Sequence, residues 1–350
     1  MTGTRRWTRR PGRGARLPVL AAAAALLCVS ATACTGDGSG GGRPSPRPTS
    51  ALAGTRLWTD PEGHAVRQVR ESTAAGRTDL ADALAPLAGE PVATWLTGTE
   101  ADPYARTRDL TSAAAARGET AVLVVYAVPG RDCGQHSAGG AAGVDAYLAW
   151  VGSLAAGIEE RPAVVVLEPD AVAHAVEGCV EDAPARYRAL AQAVEILQRR
   201  PGVRLYVDAG NASWVDDLDR LADALRDSGV ERADGFALNV SNFETTAASA
   251  AYGRELSDRL GGARFVVDTS RNGAGPPVGT GTGEAPSWCN PEGVRLGQPP
   301  TTDPGIDRVD ALLWVKQPGD SDGECAPGDP PAGTFDLRYA GELLGTPLRP

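Results

Sequence analysis

Most of the side chains that common enzyme classes depend on are scarce in this sequence. It has three histidines, His64, His136 and His174, and none stands at the spacing of a zinc-binding motif. Six cysteines occur without a CxxC pair, which argues against a zinc ribbon or a redox dithiol. The segment after the leader has no GxSxG turn, so the nucleophile elbow of a serine hydrolase is missing. Gly279, Gly281 and Gly283 do not complete a GxGxxG phosphate loop. No cofactor and no metal is expected. Positive charge is short as well: the formal net charge is −10, although the first residues are strongly basic. That balance argues against nucleic acid as a partner and suits a neutral substrate such as a sugar.

The chain is expected to begin with a leader. Arg5, Arg6, Arg9, Arg10, Arg13 and Arg16 precede an uncharged apolar run from Leu17 to Ala33, the pattern of a secretion signal over residues 1–33. The run is shorter than the roughly 20 residues of a spanning helix. It ends in Ala31-Thr32-Ala33-Cys34, which resembles the lipobox of bacterial lipoproteins; Cys34 is then the expected lipidated N-terminus and the only membrane link. Residues 35–50 contain no apolar side chain larger than proline and read with Cys34 as a flexible tether. Residues 51–350 fit a single catalytic domain. In an exported chain the four remaining cysteines suggest two disulfides with three possible connectivities. Sequential pairing, Cys133–Cys179 and Cys289–Cys325, closes the shortest loops.

Seven short β-branched runs punctuate that domain: Val92–Thr97, Ala121–Ala127, Ala163–Leu167, Val203–Val207, Phe236–Val240, Arg264–Val267 and Val309–Val315. Helical spacing lies between most of them, as in Tyr187–Leu197 and Val215–Leu225. Continuous apolar strands alternating with amphipathic helices imply an α/β fold whose parallel strands are buried on both faces. The number of units favours a barrel. Polar residues cluster just after the strands: Tyr126, Arg131 and Asp132; Glu168 and Asp170; Asp208; Asn239 and Asn242; Asp268 and Arg271; Lys316, Asp320 and Asp322. Active sites of parallel β/α folds lie at the carboxyl ends of strands. One such carboxylate would read as a helix cap. Repetition at successive strand ends points to a site.

These blocks carry a resemblance. VVYAVPGRDCGQHSAGG (124–140), VVVLEPDAV (164–172), YVDAGNASW, LNVSNF, FVVDTSRNG, WCNPEGVRLGQPPTT and WVKQPGDSDG together resemble glycoside hydrolase family 6, the inverting cellulases, in order from about Trp58 to the C-terminus. The resemblance implies a distorted seven-stranded parallel (β/α) barrel and hydrolysis of β-1,4-glucan, with an endo-acting open cleft suggested by the short domain. It assigns Asp170 as general acid. Asp132 raises the pKa of that acid and activates water through a relay. Asp322 matches the aspartate proposed as base; Arg271 and Lys316 match cations that pair with it, and such pairing argues for a charge-stabilising role. Tyr126 matches a tyrosine beside the reacting ring, and Asp208 an aspartate of the sugar-binding rim, either a ligand or an architectural residue. Trp214 and Trp288 are the expected stacking platforms, since flat indoles match the apolar faces of pyranose rings. Trp58 is a weaker candidate, and Trp314 reads as core. Asn239 belongs to a matched block and is a candidate sugar ligand. Asn211 stands where many members carry histidine, and Asp320 where glutamate is frequent. The rival reading is a non-catalytic glycan-binding lipoprotein on the same barrel, or a hydrolase of another envelope β-glucan.

Overall fold

A computed structural model describes residues 50–277 and 288–349. The expectations for the leader, for Cys34 and for most of the tether lie outside the described residues. Two helices, α1 (His64–Ala74) and α2 (Thr78–Ala88), precede the first strand. Then follow β1 (Thr94–Leu96), α3 (Pro103–Ala116), β2 (Ala121–Val125), α4 (Val144–Ile158), β3 (Ala163–Leu167), α5 (Ala171–Val176) and α6 (Ala183–Gln198). The chain continues through β4 (Val203–Asp208), α7 (Leu218–Asp227), β5 (Gly235–Leu238), α8 (Thr246–Arg259), β6 (Arg264–Asp268), β7 (Val309–Leu313) and α9 (Leu337–Leu344). All seven strands are parallel and pair in sequence order. The sheet curls until Val92 bridges Trp314, with Ala93 N donating to Trp314 O at 2.9 Å. A single bridge in place of a ladder closes the seam, which is the distortion expected of this barrel.

The two-residue alternation of a strand explains why the runs are apolar throughout. Val122, Val124, Val164, Val166, Tyr206, Ala237, Val266, Ala311 and Leu313 fill the barrel interior. Leu123, Val125, Val165, Leu167, Leu205 and Val267 point outward into the helix layer with Leu154, Leu190, Leu197 and Leu225. Several helices start where local chemistry caps them: Asp102, Asp182 and Asp217 accept from Ala105, Ala185 and Arg220 amides. The Asp217 cap corrects the expected helix start, because α7 begins at Leu218 and Val215 lies in the irregular stretch before it.

Four strands, β1, β2, β5 and β7, are shorter than the apolar runs suggest, and β2 and β7 are cut short for one reason. β2 stops at Val125 because the amides of Ala127 and Val128 donate to the Glu168 carboxylate. β7 stops at Leu313 because the amides of Val315 and Lys316 donate to Asp268. At the opposite end of the barrel Leu52, 1% exposed, packs into the interior. Ser50, expected to end the tether, donates through Oγ to Asp310 O at 3.2 Å. Asp310 is itself buried and accepts from Tyr206 Oη and Arg264 Nε.

Candidate active site

The carboxyl ends of the strands hold an unusual backbone. Asp132, Cys133, Glu168, Asp170, Asn239 and Ser241 all sit at left-handed φ, between 45° and 68°, a region that non-glycine residues seldom enter. Such strain persists only where neighbours over-determine it, and it marks functional rims. Buried carboxylates supply that determination here. Asp208, fully buried, accepts through Oδ2 from Asp170 N (2.8 Å) and Gly210 N (3.1 Å). Glu168 holds Ala127 N and Val128 N, and Asp268 holds Ser241, Ser270, Val315 and Lys316 amides. Each carboxylate ties its own strand end to the loop of a neighbour.

Asp170 stands apart from these clamps. Its backbone is pinned by Asp208, but among the described residues no group donates a hydrogen bond to its carboxyl, which remains partly exposed. Burial, and then the charge of Asp132, push its pKa up to about 7. Asp132 is also shifted upward by burial, against the Ser137 amide at 2.6 Å and the nearby His136 and Arg131. Arg131 braces the loop: it donates to Thr97 O (2.7 Å) and Ser137 O (2.8 Å), and its guanidinium lies 4.8 Å from the Tyr126 ring centroid. Tyr126 is nearly buried, and burial with the charges of Asp170 and Asp132 keeps its phenol protonated.

Asp322 shows the opposite balance. Burial alone would raise its pKa, but Arg271 and Lys316 outweigh burial and hold it down to about 2. Arg271 Nη1 reaches both oxygens (2.9 and 2.7 Å), Lys316 Nζ lies 2.9 Å from Oδ1, and Asn290 N donates to Oδ2 at 3.0 Å. Every strong acceptor direction is taken, so this carboxylate is a poor proton acceptor and a good fixed charge. Arg271 also bonds Tyr339 Oη at 3.1 Å and lies over Phe243, 4.4 Å from its centroid. The rim thus carries carboxyls pushed to opposite protonation states, the pattern that separates an acid from its ionised partners.

The structure distributes the other expected residues unevenly. Trp214 is half-buried and edge-on to His174, with centroids 4.9 Å apart; Trp288 is half-buried and edge-on to His136 at 5.9 Å. Asn239 is fully buried: its amide donates to Asp268 O (2.9 Å) and Glu244 O (3.2 Å), and Glu244 N donates back. Those bonds order the loop after β5 and leave the side chain out of reach of a ligand. Asn211 is buried and accepts from Ser213 N and Oγ at 3.0 Å. Asp320 is 4% exposed, with His64 Nδ1 at 2.8 and 2.9 Å from its two oxygens. Trp58, 4% exposed, packs in the outer core, which corrects its reading as a platform. Trp314 is core, as expected.

Trp95 is an aromatic that the sequence motifs do not single out. It lies on β1 beside the barrel interior, half-buried, edge-on to Tyr126 at 5.2 Å, with Nε1 donating to Val315 O at 2.8 Å. A tryptophan in the middle of a short strand, between Thr94 and Leu96, was the available signal. Lys316 carried a signal of its own: it is the sole lysine in the sequence, every other long basic side chain being arginine.

Both expected disulfides are present. Cys133–Cys179 sits beside Asp132 and Cys289–Cys325 close to Asp322, with Cα separations of 6.2 and 5.9 Å. His174 and His136 each bring a ring nitrogen within 4.8 Å of the sulfurs of one disulfide, but sulfur already bound to sulfur offers no thiolate. Two disulfides fit an oxidising compartment.

A curled parallel barrel, with a raised carboxyl and a fixed ionised carboxylate at one rim, defines an acid–base hydrolase of the glycosidase type. The sequence matches the family "Glycosyl hydrolases family 6" over residues 52–346, and the chain belongs to that family. It is 44% identical to Endoglucanase A of Cellulomonas fimi over 301 residues, covering 85% of this chain and 62% of that protein. It is 41% identical to Endoglucanase 1 of Streptomyces halstedii over 296 residues, covering 80% of this chain and 85% of the relative. Among solved structures, the endoglucanase Cel6 of Mycobacterium tuberculosis, bound to a methyl-cellobiosyl-thio-cellobioside, superposes with a TM-score of 0.76. That pair is 39% identical over 83% of this chain and 97% of the other.

Proposed function

We propose that this protein hydrolyses internal β-1,4-glucosidic bonds of a glucan with inversion, Asp170 protonating the leaving oxygen. The observation that carries the reading is Asp170 itself. It is the rim carboxyl without a hydrogen-bond donor among the described residues, and it is raised far enough to hold a proton near neutral pH. Asp132 keeps that proton in place by its charge and, through a water relay, takes the proton of the attacking water. Asp322 serves as a fixed negative charge that, with Arg271 and Lys316, organises the sugar-binding side of the cleft. Tyr126 and Trp95 form an aromatic corner for the reacting ring and its neighbour, and Trp214 and Trp288 are stacking platforms farther along. Asp208 acts on the reaction through the Asp170 backbone. Endo action is supported by the endoglucanase names of the relatives.

Proton NMR of a cello-oligosaccharide digest tests this reading. The α-anomer should appear first, and Asp170→Ala should lower turnover by about 10²–10⁴-fold, the usual contribution of a general acid. A first-formed β-anomer would sink the inverting mechanism. For export, Cys34 is proposed as a lipidated tether and residues 51–350 as the catalytic unit. The wild type should partition with membranes and Cys34→Ala should be released; equal partitioning of both would remove the tether from the proposal.

A further inference from the structure

Asp170 and Asp132 stand on different strand ends, the first after β3 and the second after β2. Their separation depends on how the loop after β2 is held. One stretch of chain holds that loop at three places, and the same stretch carries Asp170. Glu168 takes the Ala127 and Val128 amides. Arg186, on α6, donates through Nη2 to Pro129 O at 2.7 Å and to Gly130 O at 3.4 Å. Cys179, between α5 and α6, is bonded to Cys133. The Arg186 and Cys179 attachments therefore fall on either side of Asp132.

A single anchor leaves a loop free to pivot, whereas two anchors flanking a residue fix its direction. The disulfide fixes Cys133. Gly130, Asp132 and Cys133 sit at positive φ, 65°, 56° and 45°, and such a turn holds only where its surroundings over-determine it. Arg131 ties the turn toward β1 through Thr97 O, and the Ser137 amide meets the Asp132 carboxyl. Between Val128 and the disulfide, Arg186 is the hydrogen-bonded link, among the described residues, to the segment that carries Asp170. Its side chain is buried, 8% exposed. It stays a cation, since a guanidinium does not lose its proton in a protein; burial disfavours the charge and Glu168 offsets that cost. A charged donor holds a carbonyl more firmly than a neutral one does.

We propose that Arg186 is a positioning residue for the reaction: from α6 it fixes the approach to Asp132 and so sets the distance between Asp132 and Asp170. The idea rests on the glucan-hydrolase reading above, and Arg186 acts through the loop and not on the sugar. The ionisable groups around Asp170 are Tyr126 and Asp132 at the β2 end, Asp208 at the β4 end, and Glu168 and His174 on its own segment. Tyr126 keeps its proton, burial and the Asp170 charge raise Asp208 well above the ordinary range, and burial lowers His174 to about 4. Glu168 is turned to the β2 amides. Asp132 is the neighbour whose charge adds to burial in holding up the Asp170 pKa, and Arg186 governs that charge through distance.

The test is the pH profile of kcat/KM on cellotetraose for the full chain and for Arg186→Met, Arg186→Gln and Arg186→Lys. Two neutral variants keep the comparison open if one fails to fold. The alkaline limb reports loss of the proton from Asp170 in the free enzyme. A loop that lets Asp132 withdraw lowers the Asp170 pKa, so the limb should move to lower pH by about 0.5–1 unit in the neutral variants, a fraction of what a close charge can shift a carboxyl. Lysine keeps a charged donor for Pro129 O, and Arg186→Lys should return the limb to its wild-type position. An arginine that only stabilises the fold would scale the profile down without moving the limb. A positive charge acting directly on Asp170 would, once removed, move the limb to higher pH. Either result, or an equal shift in Arg186→Lys, overturns the proposal. Hydrogen exchange of amides 130–134 gives a readout free of turnover. It should be about ten-fold faster in the neutral variants, the weight of one charge-assisted hydrogen bond, and near wild type in Arg186→Lys. Equal exchange in all four proteins overturns the proposal even if the enzyme is active. If the wild type cleaves no glucan, the hydrolase reading fails, and exchange alone still decides whether Arg186 holds the loop.

Discussion

Replacing Glu168 by glutamine should flatten the pH dependence of stability. Glu168 is 1% exposed, and its oxygens accept from Ala127 N at 2.9 and 3.1 Å and Val128 N at 3.0 Å. Arg186 lies near and holds the next stretch of the same loop through Pro129 O at 2.7 Å. Burial outweighs those stabilising contacts and lifts the pKa from 4.5 to about 7. A carboxyl raised on folding keeps its proton in the native state when the unfolded chain has already released it. Its stabilisation is therefore complete below pH 4.5 and is lost as pH rises through about 7. Those 2.5 pH units, at about 1.36 kcal/mol each, correspond to roughly 3 kcal/mol. Glutamine keeps the shape, accepts both amides through its carbonyl oxygen, and does not titrate. Urea unfolding at pH 5, 6.5 and 8 with disulfides intact should show the wild type losing about 2.5 kcal/mol more than Glu168→Gln across that range, the remainder being lost below pH 5. Asp208 and Asp268, also raised by burial, act in both proteins alike, so the difference isolates Glu168. Parallel pH profiles would refute the reasoning.

Leu52 plugs the barrel end opposite the rim, and Leu52→Ala should cost about 2–5 kcal/mol in urea unfolding; a cost below about 1 kcal/mol would mean the plug collapses without loss. Asp322→Asn leaves Arg271 and Lys316 with an uncompensated buried charge and should destabilise by about 3–5 kcal/mol at pH 7. The exposed Arg70–Glu62 pair is the control, and Arg70→Ala should leave the urea midpoint unchanged. Equal midpoint shifts in the two variants would remove the special place given to Asp322.

Fold class and strand count were legible because a barrel strand buries both faces, and continuous β-branched runs of this length suit a strand covered on both sides better than a half-exposed one. The ends of those strands were not. Val315 and Ala127 continue their apolar runs, yet their amides are diverted to Asp268 and Glu168. Diversion of an amide to a distant carboxylate leaves no local trace. The disulfides were legible because sequential pairing closes the shortest loops. Asn239 was misplaced for the same reason as the strand ends: a polar residue after a strand looks alike whether it faces a ligand or ties down its own loop.

That ambiguity bears on the strongest sequence signal, the repetition of carboxylates at successive strand ends. Glu168, Asp208 and Asp268 make up a large part of that repetition, and each is a buried clamp on backbone amides. Two of them hold left-handed backbone at the rim, Asp208 at Asp170 and Asp268 at Ser241, which a strand-to-helix turn does not maintain unaided. The repetition therefore pointed to the right place by an indirect route: it counted the scaffold along with the chemistry. What separates the two groups is hydrogen-bond occupancy. Glu168 and Asp268 spend both oxygens on amides, Asp208 spends Oδ2 on two amides while its buried Oδ1 has no partner among the described residues, Asp322 spends its own on two cations and an amide, and Asp170 keeps its carboxyl free to meet a ligand. The sole lysine was the better sequence clue. A chain that uses arginine at every other long basic position places a compact ammonium only beside Asp322, where a second guanidinium fork would have to share the two oxygens that Arg271 already spans.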